Sequence, residues 1–130
     1  MQGYAQRIRT GCGLASLNNA FYCQLTHGIY YDTNLLATQF DRVGDFASAI
    51  VIAHEWGHAM QGLRDIFRHS GYTIETELQA DCFAGAYAHD ANMHRWLEPC
   101  DIEEAAELLY KIGDPSNLPW CVHRTHGASQ

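Results

Sequence analysis

His54-Glu55-Trp56-Gly57-His58 sets two imidazoles four residues apart with a carboxylate between them. On a helix, residues four apart share a face, so both rings can bind one metal ion. Glu55 lies about 100° round the axis, close enough to reach a water beside that ion. A chain of this composition produces roughly 0.03 such matches by chance. Phe46, Ala49, Ile50, Val51, Ile52, Ala53, Trp56 and Met60 make the segment apolar nearly all round, the pattern of a helix buried in a core. Two histidines and a glutamate buried there without a partner would be costly, which argues against histidines that only hydrogen-bond in a core.

An open zinc site needs a third protein ligand. Gln61 and Arg64 stand where the metzincin extension would require Gly and His, so the third ligand comes from elsewhere. Glu77 and Asp81 are four apart on a second helical stretch and share a face, and that face continues through Ala84, Gly85 and Ala88. Small residues let it press against the first helix near Gly57. Two carboxylates on a packing face need something cationic. Glu77 as ligand, with Asp81 accepting the other N–H of a ligating histidine, would satisfy both. Glu75 competes for the ligand role but points about 160° away from Glu77, as a solvated first-turn acid would. Cys82 turns about 100° from Asp81 and reads as a buried structural thiol.

The chain has 130 residues, 47% of them apolar, and a net charge of -7, which fits one domain, residues 1–130, and opposes binding to nucleic acid or anionic lipid. The longest apolar run, Phe46 to Ala53, is far short of the roughly 20 residues of a membrane helix. No apolar leader follows Arg7 and Arg9. Five cysteines are many for a reducing compartment and point to an extracytoplasmic location, secreted or in the cell envelope. The simplest pairing is Cys12–Cys23 and Cys100–Cys121 with Cys82 left over, although spacing alone does not decide connectivity.

The elements that must position these groups are few. Residues 1–18 read as mostly irregular. Ala20-Phe21-Tyr22-Cys23 and Gly28-Ile29-Tyr30-Tyr31 form a predicted β-hairpin, and Leu35 to Arg42 a short helix. Asp45 is the expected N-cap of the helix running from Phe46 to about Leu63. Thr73 suits the cap of the helix from Ile74 to about Ala91, and a last helix spans Ile102 to Ile112, between Pro99 and Gly113-Asp114-Pro115.

Asn19-Ala20-Phe21-Tyr22-Cys23, Ile29-Tyr30-Tyr31-Asp32, Gly44-Asp45-Phe46-Ala47, His54 through Gln61, Glu77-Leu78-Gln79-Ala80-Asp81-Cys82-Phe83-Ala84-Gly85-Ala86 and Thr125-His126-Gly127 resemble the bacterial neutral zinc metallopeptidase family, which is similar to compact gluzincins. The resemblance covers most of the chain from Cys12 onward. Only 18 residues separate His58 from Glu77, fewer than in many members, which implies a smaller rim to the cleft. The resemblance implies that His54, His58 and Glu77 bind Zn²⁺, that Glu55 is the catalytic base and that Asp81 supports the site. It implies an α+β, predominantly helical, compact zincin-like domain with an active-site helix, a glutamate helix and a small N-terminal β-hairpin.

The expected activity is a zinc-dependent endopeptidase acting on a peptide or protein substrate. His126 is the first candidate for a second donor to the oxyanion, ahead of Tyr87 and His123. His27, His69, His89 and His94 lack a partner at ligand spacing and read as surface or capping residues. A strand near the cleft could pair with an extended substrate, and a proline at Ile29 would test that pairing. The rivals are a zinc-stabilised binding or structural domain without turnover, for which Glu55 would have no use, and a disulfide-stapled adhesion module, which leaves the apolar helix unexplained.

Overall fold

A computed structural model describes residues 1–66 and 73–112. Along the chain run β1 (Gln2–Tyr4), β2 (Arg9–Thr10), β3 (Gly13–Leu14), β4 (Ala20–Cys23), β5 (Gly28–Asp32), α1 (Thr33–Arg42), α2 (Asp45–Leu63), α3 (Thr73–Met93) and α4 (Asp101–Ile112). The class is α+β, with four helices and two small sheets among the described residues. No helix among the described residues is long and apolar enough to cross a membrane.

The expected hairpin is β4 and β5, paired antiparallel from Ala20↔Tyr31 to Cys23↔Gly28, with Phe21 stacked on Tyr30 at 5.4 Å between ring centroids. Residues 1–18 are more ordered than their composition suggests. β1 adds to the other edge of β5 in parallel, Gln2↔Tyr30 to Tyr4↔Asp32, and β2 and β3 form a two-stranded ribbon. Ile29 therefore sits in the central strand of a sheet ordered β1-β5-β4 and is buried, so a proline there would break the sheet itself. β1 and β4 are the edge strands of that sheet. Cys12 and Cys23 are bonded; Cys121 lies outside the described residues, so the second expected pairing does too.

α2 is the centre of the packing and touches α1, α3, α4 and β4. Phe46, Ala47, Ile50, Val51 and Ala53 meet Ala84 and Ala88 of α3 and Ala105 and Leu108 of α4 in one core cluster. Ser48 ties α2 to α1 by donating from Oγ to the Leu36 carbonyl at 2.7 Å. The α2–α3 seam is close because Gly57 has no side chain: a Cβ there would meet the Ala80 Cα at 2.8 Å and its carbonyl oxygen at 2.9 Å.

Four details differ from expectation. The N-cap of α2 is Gly44, at φ 151°, with Asp45 as first helical residue and no cap bond from Gly44's own position. The missing acceptor comes from α4, where Glu104 accepts from the Phe46 N–H, and a Cβ on Gly44 would fall on the Glu104 carboxylate. Gly85 is not on the packing face and has open space around it; α3 docks through Ala80, Ala84, Ala88 and Ala91. Cys82 is exposed rather than buried, since it lies on the far side of α3 from that alanine row. Lastly, α2 is not wrapped all round: Trp56 is 51% exposed and, with Ala49, Ile52 and Met60, lines an apolar cavity of about 590 Å³ closed on the α3 side by Phe83 and Tyr87.

Candidate metal centre

His54 and His58 project from the middle of α2 and Glu77 from the first turns of α3, all three deep in the seam held close by Gly57. Their ligand atoms converge. His54 Nε2 lies 3.1 Å from a Glu77 carboxylate oxygen, His58 Nε2 lies 3.3 Å from the other, and the two Nε2 atoms are 3.1 Å apart.

The outer nitrogens decide what faces inward. His54 Nδ1 is 2.8 Å from Asp81 Oδ1, and a carboxylate only accepts, so Nδ1 donates. His58 Nδ1 is 2.8 Å from Gln61 Oε1. With both Nδ1 atoms donating, each neutral ring presents an Nε2 lone pair toward the other and toward Glu77. Lone pairs and a carboxylate packed this closely call for positive charge between them, a proton in the metal-free centre or a metal ion in its place. A tetrahedral zinc with bonds of about 2.0–2.1 Å spaces its ligands about 3.3 Å apart, close to the separations found here. The donor set, two imidazoles each anchored through Nδ1 and a buried carboxylate, fits such an ion.

The electrostatics say the same. Burial pulls the His54 pKa down, but its hydrogen bonds to Asp81 and Glu77 and the negative charge of Glu55 and Glu77 outweigh it and raise the value to about 10. His58 behaves alike: burial lowers its pKa, and Glu77, Gln61 and Glu55 raise it above the ordinary value. The pocket thus prefers positive charge at its centre.

Glu55 is buried beside His54 on a cavity of about 270 Å³, lined also by Asn18, Asn19, Ala20, Leu35, Gln39, Val51 and Leu108. Apolar Ala20, Leu35, Val51 and Leu108 thus share the lining of this cleft with polar Asn18, Asn19 and Gln39. Its Asn18–Ala20 side is held by groups far apart in sequence. Asp32 accepts from the Asn18 N–H at 2.6 Å and from the Asn34 N–H at 2.8 Å, capping α1 with the second bond. Tyr4 of β1 donates from its hydroxyl to the Ser16 carbonyl at 2.7 Å. The Asn18 N–H holds the Asp32 carboxyl below its ordinary pKa, burial opposes this, and the Asn34 and Leu35 N–H groups add to the lowering.

Residues 1–118 match a family described as "Putative neutral zinc metallopeptidase". The chain belongs to that family. It is 35% identical over 150 aligned residues, 98% of the chain, to a protein of Escherichia coli K12 named Uncharacterized protein YpfJ, covering 52% of that protein. To Uncharacterized protein Rv2575 of Mycobacterium tuberculosis H37Rv it is 35% identical over 137 residues, 88% of the chain and 47% of the relative. The chain spans about half the length of these curated relatives. No solved structure matches it.

Within this metallopeptidase-family chain, His54, Glu55, His58, Glu77 and Asp81 come together, whereas Glu75 is exposed. Tyr87 does not join them, since it stacks on Phe46 and lines the apolar cavity on the opposite face of α2. His126, His123 and His69 lie outside the described residues. His89 and His94 are exposed, and His27 pairs through Nδ1 with the Tyr22 hydroxyl at 2.7 Å. A second close group, Asp45, Asp101 and Glu104, surrounds the N-terminus of α2.

Asn19, Asp32 and Gln61 stand in the stretches that carry the family resemblance, but the sequence assigns no role to them or to Asn18. Asp32-Thr33-Asn34 at a strand-to-helix junction carries the cap signature that could have flagged Asp32. The others act through partners that only the folded chain brings near.

Proposed function

We propose that this chain is a zinc-dependent endopeptidase domain, with His54, His58 and Glu77 as zinc ligands, Glu55 as general base and Asp81 fixing the His54 tautomer. The observation that carries the reading is the pair of Nε2 atoms 3.1 Å apart whose Nδ1 partners, Asp81 and Gln61, direct both lone pairs at Glu77. A zinc ion held there supplies Lewis acidity that polarises a peptide carbonyl and acidifies a water molecule. Glu55 accepts the water's proton as it attacks and returns it to the leaving amine nitrogen, which breaks the C–N bond. The apolar walls of the cleft beside Glu55, Leu35, Val51 and Leu108, suit an aliphatic or aromatic side chain next to the scissile bond.

Ala20 both lines that cleft and begins edge strand β4, so an extended substrate can pair along Ala20–Cys23 while its side chain enters the cavity. A zincin-like arrangement of the gluzincin kind, one domain over residues 1–130, and His126 as a further oxyanion donor belong to the same proposal. The Cys12–Cys23 bond supports an extracytoplasmic setting.

The test is digestion of a peptide library by wild type, chelated protein and Glu55→Gln. Zinc retained in Glu55→Gln with cleavage reduced about 10²–10⁴-fold supports the peptidase. Stoichiometric zinc with no cleavage by wild type sinks it in favour of a zinc-stabilised binding domain.

A further inference from the structure

Gln61 is wholly buried one turn beyond His58, and its amide touches both helices of the candidate centre. Nε2 lies 2.7 Å from the Thr76 carbonyl oxygen and 3.0 Å from Gln79 Oε1; Oε1 lies 2.8 Å from His58 Nδ1. A backbone carbonyl only accepts. The NH₂ end must therefore face Thr76, and Oε1 must face the imidazole. His58 Nδ1 then has to donate, which leaves the lone pair on Nε2. Thr76 directly precedes Glu77, so the same amide that orients one candidate ligand also fixes the backbone beside another.

We propose that Gln61 is the positioning residue of this centre: it selects the Nδ1–H tautomer of His58 and sets the spacing between His58 Nε2 and Glu77. The inference rests on the metal reading above for its zinc consequence, but not for the hydrogen bond itself. Asp81 performs the corresponding task for His54 with a carboxylate whose side chain is 38% exposed. Gln61 does it with a neutral amide shielded from water, adding no charge to a pocket that already holds Glu55, Glu77 and Asp81. A carboxylate at position 61 would still accept from His58 but could not, when ionised, donate to Thr76. An isosteric methionine could do neither.

The experiment compares wild type, Gln61→Glu and Gln61→Met. Imidazole N–H signals are followed by ¹H–¹⁵N NMR on metal-free protein, and zinc affinity is measured by chelator competition, with urea unfolding of each metal-free variant to confirm folding. Wild type should show a slowly exchanging His58 Nδ1–H proton. Gln61→Met should lose it and bind zinc about 10–100-fold more weakly, while Gln61→Glu keeps the proton and loses less affinity than Gln61→Met, its remaining loss reporting the missing bond to Thr76. If Gln61→Met does not fold, the Gln61→Glu arm alone decides, because loss of the protected proton there overturns the assignment. An unchanged His58 proton in Gln61→Met, or equal zinc loss in both variants, also overturns it. Absence of zinc binding by wild type would remove the metal reading, while the proton signal still decides whether Gln61 holds His58.

Discussion

The chain holds two compact groups of titratable side chains that look alike as distances and differ as chemistry. In each, one ligand atom per residue lies within 4.8 Å of the others: His54, His58 and Glu77 in the α2–α3 seam, and Asp45, Asp101 and Glu104 at the start of α2. In the first, both imidazoles are held from behind. Asp81 and Gln61 take the outer protons, so the inner atoms are committed to a shared positive centre. In the second, the three members are all acids. Asp101 accepts from the Glu98 N–H at 2.7 Å, Glu104 accepts from the Phe46 N–H, and Asp45 is exposed. The other Glu104 oxygen is buried with no hydrogen-bond partner among the described residues. Their electrostatic counterpart is the positive end of α2. Proximity of acids thus caps a helix, whereas proximity of oriented, mixed donors makes a centre for a metal.

The contrast breaks most sharply on substitution of its central carboxylate. Glu77→Gln should abolish stoichiometric zinc binding and peptide cleavage together, because it removes the anionic ligand and leaves two lone pairs facing a neutral amide. Metal analysis of the purified variant checks this, and full zinc retention would place the third ligand elsewhere. Acid should act next most strongly. With the His54 pKa raised to about 10, zinc must displace a proton at any lower pH, so apparent affinity should fall about tenfold for each unit below that value. In metal-free protein the sign reverses: the stabilisation from protonated His54 is complete below its ordinary pKa and is lost as pH rises through about 10. Chelator competition between pH 6 and 9 measures the first effect, and a flat profile would deny the proton its place.

Gly57→Ala should act through geometry alone. Its methyl group meets the Ala80 backbone, so α3 must shift, carrying Glu77 away from His58. Overpacking of this kind costs about 1–3 kcal/mol, and zinc affinity should drop with it. If affinity holds while stability falls, the seam does not set the ligand spacing.

The smallest effect belongs to the acid-only group. Burial, then the neighbouring Asp101 and Asp45 charges, raise the Glu104 pKa, although the Phe46 N–H works against this. Its favourable contribution is therefore complete below the ordinary glutamate pKa and lost as pH rises through the elevated one. Glu104→Gln keeps an acceptor for Phe46 and removes the repulsion, so stability at neutral pH should rise by less than about 1 kcal/mol with zinc stoichiometry unchanged. Loss of zinc from this variant would erase the distinction between the two groups.

Much of this was legible because it is local. The HExxH spacing, the Glu77–Asp81 pair and the aromatic hairpin follow from helix and strand periodicity over a few residues. The rest depends on partners distant in the chain. β1 joins β5 across the intervening ribbon and hairpin, and nothing in Gln2-Gly3-Tyr4 announces a strand. Gly44 looks like a weak cap until Glu104 arrives from α4. Gln61 becomes a positioning residue only once the Thr76 carbonyl lies beside it. Gly85 and Cys82 show the opposite limit, because small size permits packing without requiring it, and α3 docks along Ala80, Ala84 and Ala88.

The Gly57–Ala80 contact has a consequence for how this chain can change over time. A seam closed by one glycine against a row of alanines has no slack, and every larger side chain along it displaces a ligand-bearing helix. In a saturation library selected for zinc retention, positions 57, 80, 84 and 88 should tolerate almost nothing. Leu78, Cys82 and Gly85, on the outward side of the same helix, should accept most replacements. The map of permitted letters along α3 would then trace, residue by residue, which side of that helix answers to the ion.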